Sequence, residues 1–219
     1  MPDAETTCQL YALIEAGDAA PERLAAAFAA ADLASVLILP PAGRPLDAAA
    51  ARPLIELAQR RGAAALVADD ARLARSLGAD GVHLGSQADP GAAYQAARAI
   101  LGQSGVVGVD PGISRHDAMT LAEAGADYVA FGAPAQLKDR DKARLRRDEL
   151  AAWWAEIFQV PCVVLDVETA QEAEALAGAG VDFVGLSLPA GQSAAAARDL
   201  VAAIAAAVGL RETAEGTAA

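Results

Sequence analysis

Histidine occurs twice and cysteine twice in this chain of 219 residues. The cysteines, Cys8 and Cys162, sit in separate strand-like apolar runs and match no zinc spacing. They read as buried, reduced thiols, which suits a cytoplasmic protein. No apolar run reaches the roughly 18 residues of a membrane span. The opening residues, MPDAETTC, carry neither the basic nor the apolar segment of a secretory signal. Positive charge is short as well: 17 Lys and Arg stand against 29 Asp and Glu, a net charge of −12. Nucleic acid and anionic membranes need basic surface, so neither is an expected partner. A phosphorylated substrate would be repelled unless a basic cluster, a metal ion or aimed backbone N–H groups offset that charge. There is no Ser/His/Asp elbow, no metal-type His pair and no P-loop.

What is present is a long alternation. Hydrophobic residues make up 54% of the chain, enough for one substantial core. Short, near-continuous apolar runs occur at 9–14, 35–39, 64–68, 81–84, 106–110, 128–131, 162–165 and 183–186. They have the character of parallel strands packed on both faces. Ala-rich helical stretches follow at 20–31, 46–61, 71–77, 91–101, 115–124, 147–158, 170–177 and 194–208. Pro21 suits a first helical position, Ser114 and Ser193 suit N-caps, and Thr169 with Glu172 forms a capping-box pattern. Eight βα units predict a single-domain (β/α)8 TIM barrel over 8–210, with a frayed 1–7 and a flexible tail over 211–219. An open doubly wound sheet is the alternative, but no dinucleotide fingerprint supports it.

A weak repeat supports the barrel. Gly78-Ala79-Asp80-Gly81-Val82, Gly125-Ala126-Asp127-Tyr128-Val129 and Gly180-Val181-Asp182-Phe183-Val184 share one pattern. Each Asp precedes a strand, at the end of the barrel that serves stability, so all three read as turn residues.

Chemistry in such barrels sits where strands end. Asp69, Asp110 and Asp166 follow the third, fifth and seventh strands, whose side chains share layers, so they are expected to converge. Capping and turn roles for Asp69, Asp70 and Asp110 stand beside that reading. Ser86, Gln87 and Ser187 end two further strands. The run QLKDRDKARLRR at 136–147 is the strongly basic stretch, with Lys138 and Arg140 foremost. It reads either as a loop folded over the mouth to hold phosphate or as a solvated charge run leading into the sixth helix. His83 reads as a core residue and His116 as solvent-facing. Of Trp153 and Trp154, one is expected against the barrel and the other towards solvent or a partner.

Leu66-Val67-Ala68-Asp69-Asp70, then Gly81-Val82-His83-Leu84-Gly85, resembles the thiamine phosphate synthase family and its thiazole tautomerase (TenI-like) relatives. So does Gly108-Val109 followed by Ala124-Gly125-Ala126-Asp127-Tyr128-Val129-Ala130-Phe131-Gly132. The resemblance is clearest over 66–134 and extends more loosely along the chain. It implies a (β/α)8 barrel that joins a pyrimidine-methyl pyrophosphate to a thiazole phosphate. In that reaction, Mg²⁺-assisted loss of pyrophosphate gives a carbocation that the thiazole nitrogen captures.

Carried over by position, the resemblance makes Asp69 a metal ligand and Asp89, displaced by one position, a second candidate. It leaves Ser86, Gln87, Lys138, Arg140, Ser187, Asp110 and Asp166 as candidates around substrate and phosphate. Several positions depart from the family. A Gln-x-Arg-x-Lys set after the second strand is replaced by Leu37-Ile38-Leu39-Pro40-Pro41, and a phosphate-binding Gly-Gly after the seventh by Asp166-Val167. The expectation is a diverged synthase-like protein of reduced or lost activity that takes a small-molecule ligand, with Mg²⁺ as its metal, and forms a homo-oligomer as family members often do. A non-catalytic binding barrel, or an enzyme for a cationic substrate, is the alternative.

Overall fold

The computed structural model describes residues 8–133 and 138–210. The expectations for 1–7, for 211–219 and for the part of the basic run at 136–137 lie outside the described residues. Sixteen elements alternate strictly: β1 Gln9–Glu15, α1 Ala20–Ala30, β2 Ser35–Leu39, α2 Ala48–Arg60, β3 Ala64–Ala68, α3 Ala71–Leu77, β4 Gly81–Leu84, α4 Pro90–Leu101, β5 Val106–Val109, α5 Arg115–Glu123, β6 Tyr128–Phe131, α6 Arg140–Ile157, β7 Cys162–Val164, α7 Ala170–Gly178, β8 Phe183–Leu188 and α8 Ala194–Ala207. The strands pair in parallel, each with the next, and β8 returns to β1 to close the barrel. No described helix is long and apolar enough to cross a membrane.

Alternation of side chains along the strands sorts the core into two layers. Leu10, Ala12 and Ile14 of β1 face outward and pack in one buried cluster with Leu24, Ala27 and Phe28 of α1. Tyr11 and Leu13 face inward with Leu37, Leu66, Tyr128, Val163 and Leu165. The interior carries a polar chain: Tyr11 Oη lies 2.8 Å from Tyr128 Oη, which lies 3.0 Å from His83 Nδ1. His83 is therefore a satisfied core histidine, whereas His116 is exposed on α5. Gly108 makes room for this arrangement, because a Cβ there would stand 1.9 Å from Tyr128 Cζ.

The repeated aspartates act alike. Each accepts a hydrogen bond from a backbone N–H of the preceding strand: Asp80 from Ala65 at 2.8 Å, Asp127 from Val107 at 2.7 Å and Asp182 from Cys162 at 2.9 Å. Cys8 and Cys162 are buried and unbridged, and burial pushes their thiols up to about 11 and about 12. Trp154 is fully buried against Phe131, while the half-buried Trp153 lies under the Arg115 guanidinium.

Two element bounds differ from expectation. Helix α6 starts at Arg140, not at 147, because Asp139 caps it by accepting from Lys142 N at 3.2 Å. Most of the basic run is thus helix, whose Lys and Arg residues are good helix formers. Strand β8 continues through Ser187, because Leu13 and Ile14 of a long β1 still offer partners there.

Overpacking is the expected consequence of filling the space at Gly108. Gly108→Ala should lower stability by roughly 1–3 kcal/mol in urea unfolding. An unchanged midpoint would show that the Tyr128 ring moves aside at no cost.

Candidate functional site

Asp69 follows β3 directly and holds a left-handed backbone, φ 56°. Aspartate tolerates that region better than most residues. Its N–H donates to His83 O at 2.9 Å, and its Oδ1 accepts from Gly85 N at 2.7 Å. The carboxylate is thereby laid across the end of β4. It opens onto a cleft of about 500 Å³ lined with Gly85, Ser86, Gln87, Ala97 and Ile100. Asp70 is spent on capping α3, accepting from Leu73 N at 2.8 Å. Asp89 likewise caps α4, accepting from Ala92 N at 2.9 Å.

A second cleft, of about 460 Å³, contains Asp110, Ile113, Ser114 and Asp166 and shares Ser86 with the first. Asp110 Oδ1 accepts from Gly112 N at 2.7 Å, closing the Asp-Pro-Gly turn. The carboxylates of Asp110 and Asp166 flank Gly132: a Cβ there would lie 3.4 Å from Asp110 Oδ2 and 4.0 Å from Asp166 Oδ2. Burial, with the Asp166 charge adding to it against the Gly112 N–H, pushes the Asp110 carboxyl up to about 6. Of the three carboxylates expected to converge, these two do; Asp69 serves the neighbouring cleft.

Asp166 also has a left-handed backbone, φ 61°. A buried cation holds it there. Arg147, fully buried on α6, donates through Nη1 to Leu165 O at 2.6 Å and to Asp166 O at 3.0 Å. Its Nε donates to Asp148 at 2.9 Å, and its Nη2 pairs with Glu172. Arg144 pairs with Glu168, Arg146 with Glu149 and Lys142 with Asp139. The basic stretch is thus largely committed to α6 and the β7 end. Neither of its alternative readings covers Arg147, which is buried rather than solvated or folded over the mouth. Lys138 and Arg140 are exposed at the start of α6.

Ser187 lies elsewhere on the mouth, exposed in a smaller cavity of about 300 Å³ lined with Leu13, Glu15, Leu39, Pro40 and Leu188. Glu15 and the buried Arg23 beside it escaped the sequence reading. Their one signal was a carboxylate ending an apolar strand and an arginine next to the core-facing Leu24.

Family resemblance implies Mg²⁺. Among the described residues, no three His, Cys, Asp or Glu side chains are grouped to hold a metal. The donor chemistry still fits this ion. Magnesium takes one or two carboxylates and completes its shell with water and substrate phosphates. Asp69 and Asp89 are exposed, and each gives one carboxylate oxygen to a backbone N–H, leaving the other unpaired among the described residues.

Two buried groups give the stability a pH signature. Burial lowers His83 from 6.5 to about 4, against the Asp69 charge. As pH falls through that window, the unfolded chain takes up a proton the folded chain refuses, so stability falls. Asp110 has the opposite sign, being raised from 3.8 to about 6. Its folded form binds the extra proton between those values, and its buried charge is a cost above them. Asp110→Asn should therefore stabilise the protein at pH 8 by roughly 1–2 kcal/mol. The variant should also lose stability more steeply than wild type below pH 6. Urea unfolding across the pH range checks this; parallel curves would mean that Asp110 titrates like a surface carboxylate.

Comparison with known proteins agrees with this architecture. The family model described as thiamine monophosphate synthase matches residues 12–188. The thiamine-phosphate synthase of Rhodospirillum centenum is 37% identical over 201 residues, spanning 88% of this chain and 96% of the relative. That of Erythrobacter litoralis is 42% identical over 139 residues, 63% of this chain and 64% of its own. Among solved structures, thiamine phosphate pyrophosphorylase from Pyrococcus furiosus superposes with a TM-score of 0.70 at 18% identity, covering 94% of this chain and 98% of its own. Tryptophan synthase from Mycobacterium tuberculosis gives 0.70 at 17% identity, covering 95% of both chains. At such identities these structures speak for the barrel fold alone. Its matched family model, spanning most of the barrel, makes this chain a member of the thiamine monophosphate synthase family.

Proposed function

We propose that this chain is a thiamine phosphate synthase-type transferase whose activity is reduced by an acidic mouth. The observation that carries the reading is the seat of Asp69, its carboxylate fixed across the end of β4 by Gly85 N and opening onto the first cleft. Asp69, with Asp89 beyond it, would hold Mg²⁺, which when bound supplies positive charge to a departing pyrophosphate. Ser86 and Gln87 line the space beside Asp69 and can donate hydrogen bonds to substrate. Lys138 and Arg140 add exposed positive charge near the end of β6.

The reduction follows from Asp110 and Asp166. Two unit charges about 4 Å apart at an effective dielectric of about 20 interact by ~4 kcal/mol. Repulsion of that size weakens anion binding by roughly three orders of magnitude. A phosphate seated beyond β7 would meet the Asp166 carboxylate, held in place by Arg147. The same pair supports a second reading. A carboxylate raised to about 6 beside another suits a cationic or hydrogen-bond-donating ligand better than an anion.

A synthase assay tests the proposal. The protein is mixed with the pyrimidine pyrophosphate, the thiazole phosphate and Mg²⁺, and thiamine phosphate is read as its fluorescent oxidation product. Slow turnover is expected, lost in Asp69→Ala. Asp166→Gly should raise kcat/KM at least about tenfold, because it removes the charge and glycine is at ease at positive φ. No product from wild type or Asp166→Gly at high enzyme concentration would sink the synthase reading and favour the cationic ligand.

A further inference from the structure

The corner of the mouth formed by β1, β2 and β8 is built around an anion, and that anion belongs to the protein. Glu15 ends β1 and turns its carboxylate between two loops. Its Oε1 accepts from Ala42 N, after β2, at 3.0 Å, and its Oε2 accepts from Ala190 N, after β8, at 3.0 Å. The two N–H groups hold its carboxyl below the ordinary range. Each oxygen meets one backbone donor, the way an edge of a phosphate is held by loop amides.

A cation lies directly behind. Arg23 of α1 is 2% exposed. Its Nη2 donates to Glu15 O at 2.7 Å, and its Nη1 lies 3.5 Å from Ala190 O. Its Nε is buried and has no partner among the described residues. Burial works against its charge, and the Glu15 carboxylate is the charge that favours it. A buried guanidinium is costly unless an anion stands near. The cavity in front, about 300 Å³, is lined mainly by Leu13, Leu39, Pro40 and Leu188, with the Ser187 hydroxyl exposed on it.

We infer that Glu15 is a specificity-determining residue, an internal counter-anion that occupies the backbone-amide seat beyond β8 and closes it to phosphate groups. Loops near the last strands are where barrels of this architecture commonly seat a phosphate. Here Ala42 N, Ala190 N and the Arg23 charge are already satisfied by one carboxylate. An entering phosphate would have to displace it and would be repelled by it. With the carboxylate removed, the same donors and the uncompensated Arg23 would accept a phosphate. This inference is independent of the proposed synthase activity, because its probe is inorganic phosphate and no turnover is read.

The test is a titration of the full chain with inorganic phosphate, followed by the backbone amide resonances of Ala42 and Ala190. Sodium chloride at matched ionic strength is the control. In wild type these two amides should stay in place. In Glu15→Ala they should shift together and saturate, with an apparent affinity at least about tenfold tighter than wild type. Glu15→Gln, which keeps the shape and removes the charge, should fall between them; it carries the test should Glu15→Ala fail to fold. Equal shifts in wild type and variant would overturn the inference. So would folded variants whose Ala42 and Ala190 amides respond to phosphate no more than to chloride.

Discussion

Closure of the parallel ladder is the constraint on which the rest of this molecule depends. Because β1 pairs with both β2 and β8, every strand has two neighbours and no edge is left. Closure fixes which side chains point inward, and the interior must then be filled at close range. Tyr128 supplies much of that filling, in the space Gly108 leaves open, and its hydroxyl links Tyr11 and His83 into one satisfied polar chain. Closure also brings all eight carboxyl ends to one mouth, where residues distant in sequence become neighbours.

At that mouth, backbone geometry and buried charge act together. The residues that leave β3 and β7, Asp69 and Asp166, both turn through the left-handed region. Such turns persist where surrounding contacts enforce them. For Asp69 the contacts are the two hydrogen bonds to β4 and its following residue. For Asp166 the clamp is Arg147, a buried guanidinium whose partners are strand-end carbonyls and the carboxylates of Asp148 and Glu172. Arg23 plays a comparable part at the opposite side, where it grips the end of β1. Basic residues are thus used to hold the scaffold, while the carboxylates of Asp69, Asp110 and Asp166 face the clefts.

The legible parts of the sequence are those governed by local rules. Alternating apolar strands and Ala-rich helices imply the barrel, and Ser114, Thr169 and Ser193 mark helix starts that are found as caps. The motif around Asp69 carries the family. The basic run at 136–147 was harder to read, because a helix rich in charge has no apolar stripe to announce it. Asp139, three residues before Lys142, is the cap signal that marks its start.

By itself, then, the sequence determined the eightfold alternation, the turn aspartates, the family and the seat of one carboxylate after β3. These depend on hydrogen bonds and packing periods that repeat within a few residues. Tertiary structure decided which charges meet. It put Asp110 beside Asp166, buried Arg147 beneath the β7 end, and placed Glu15 against Ala190, 175 residues away. The energy of a charge depends on its burial and on its nearest partners, and both are set only when distant strand ends are brought to one mouth.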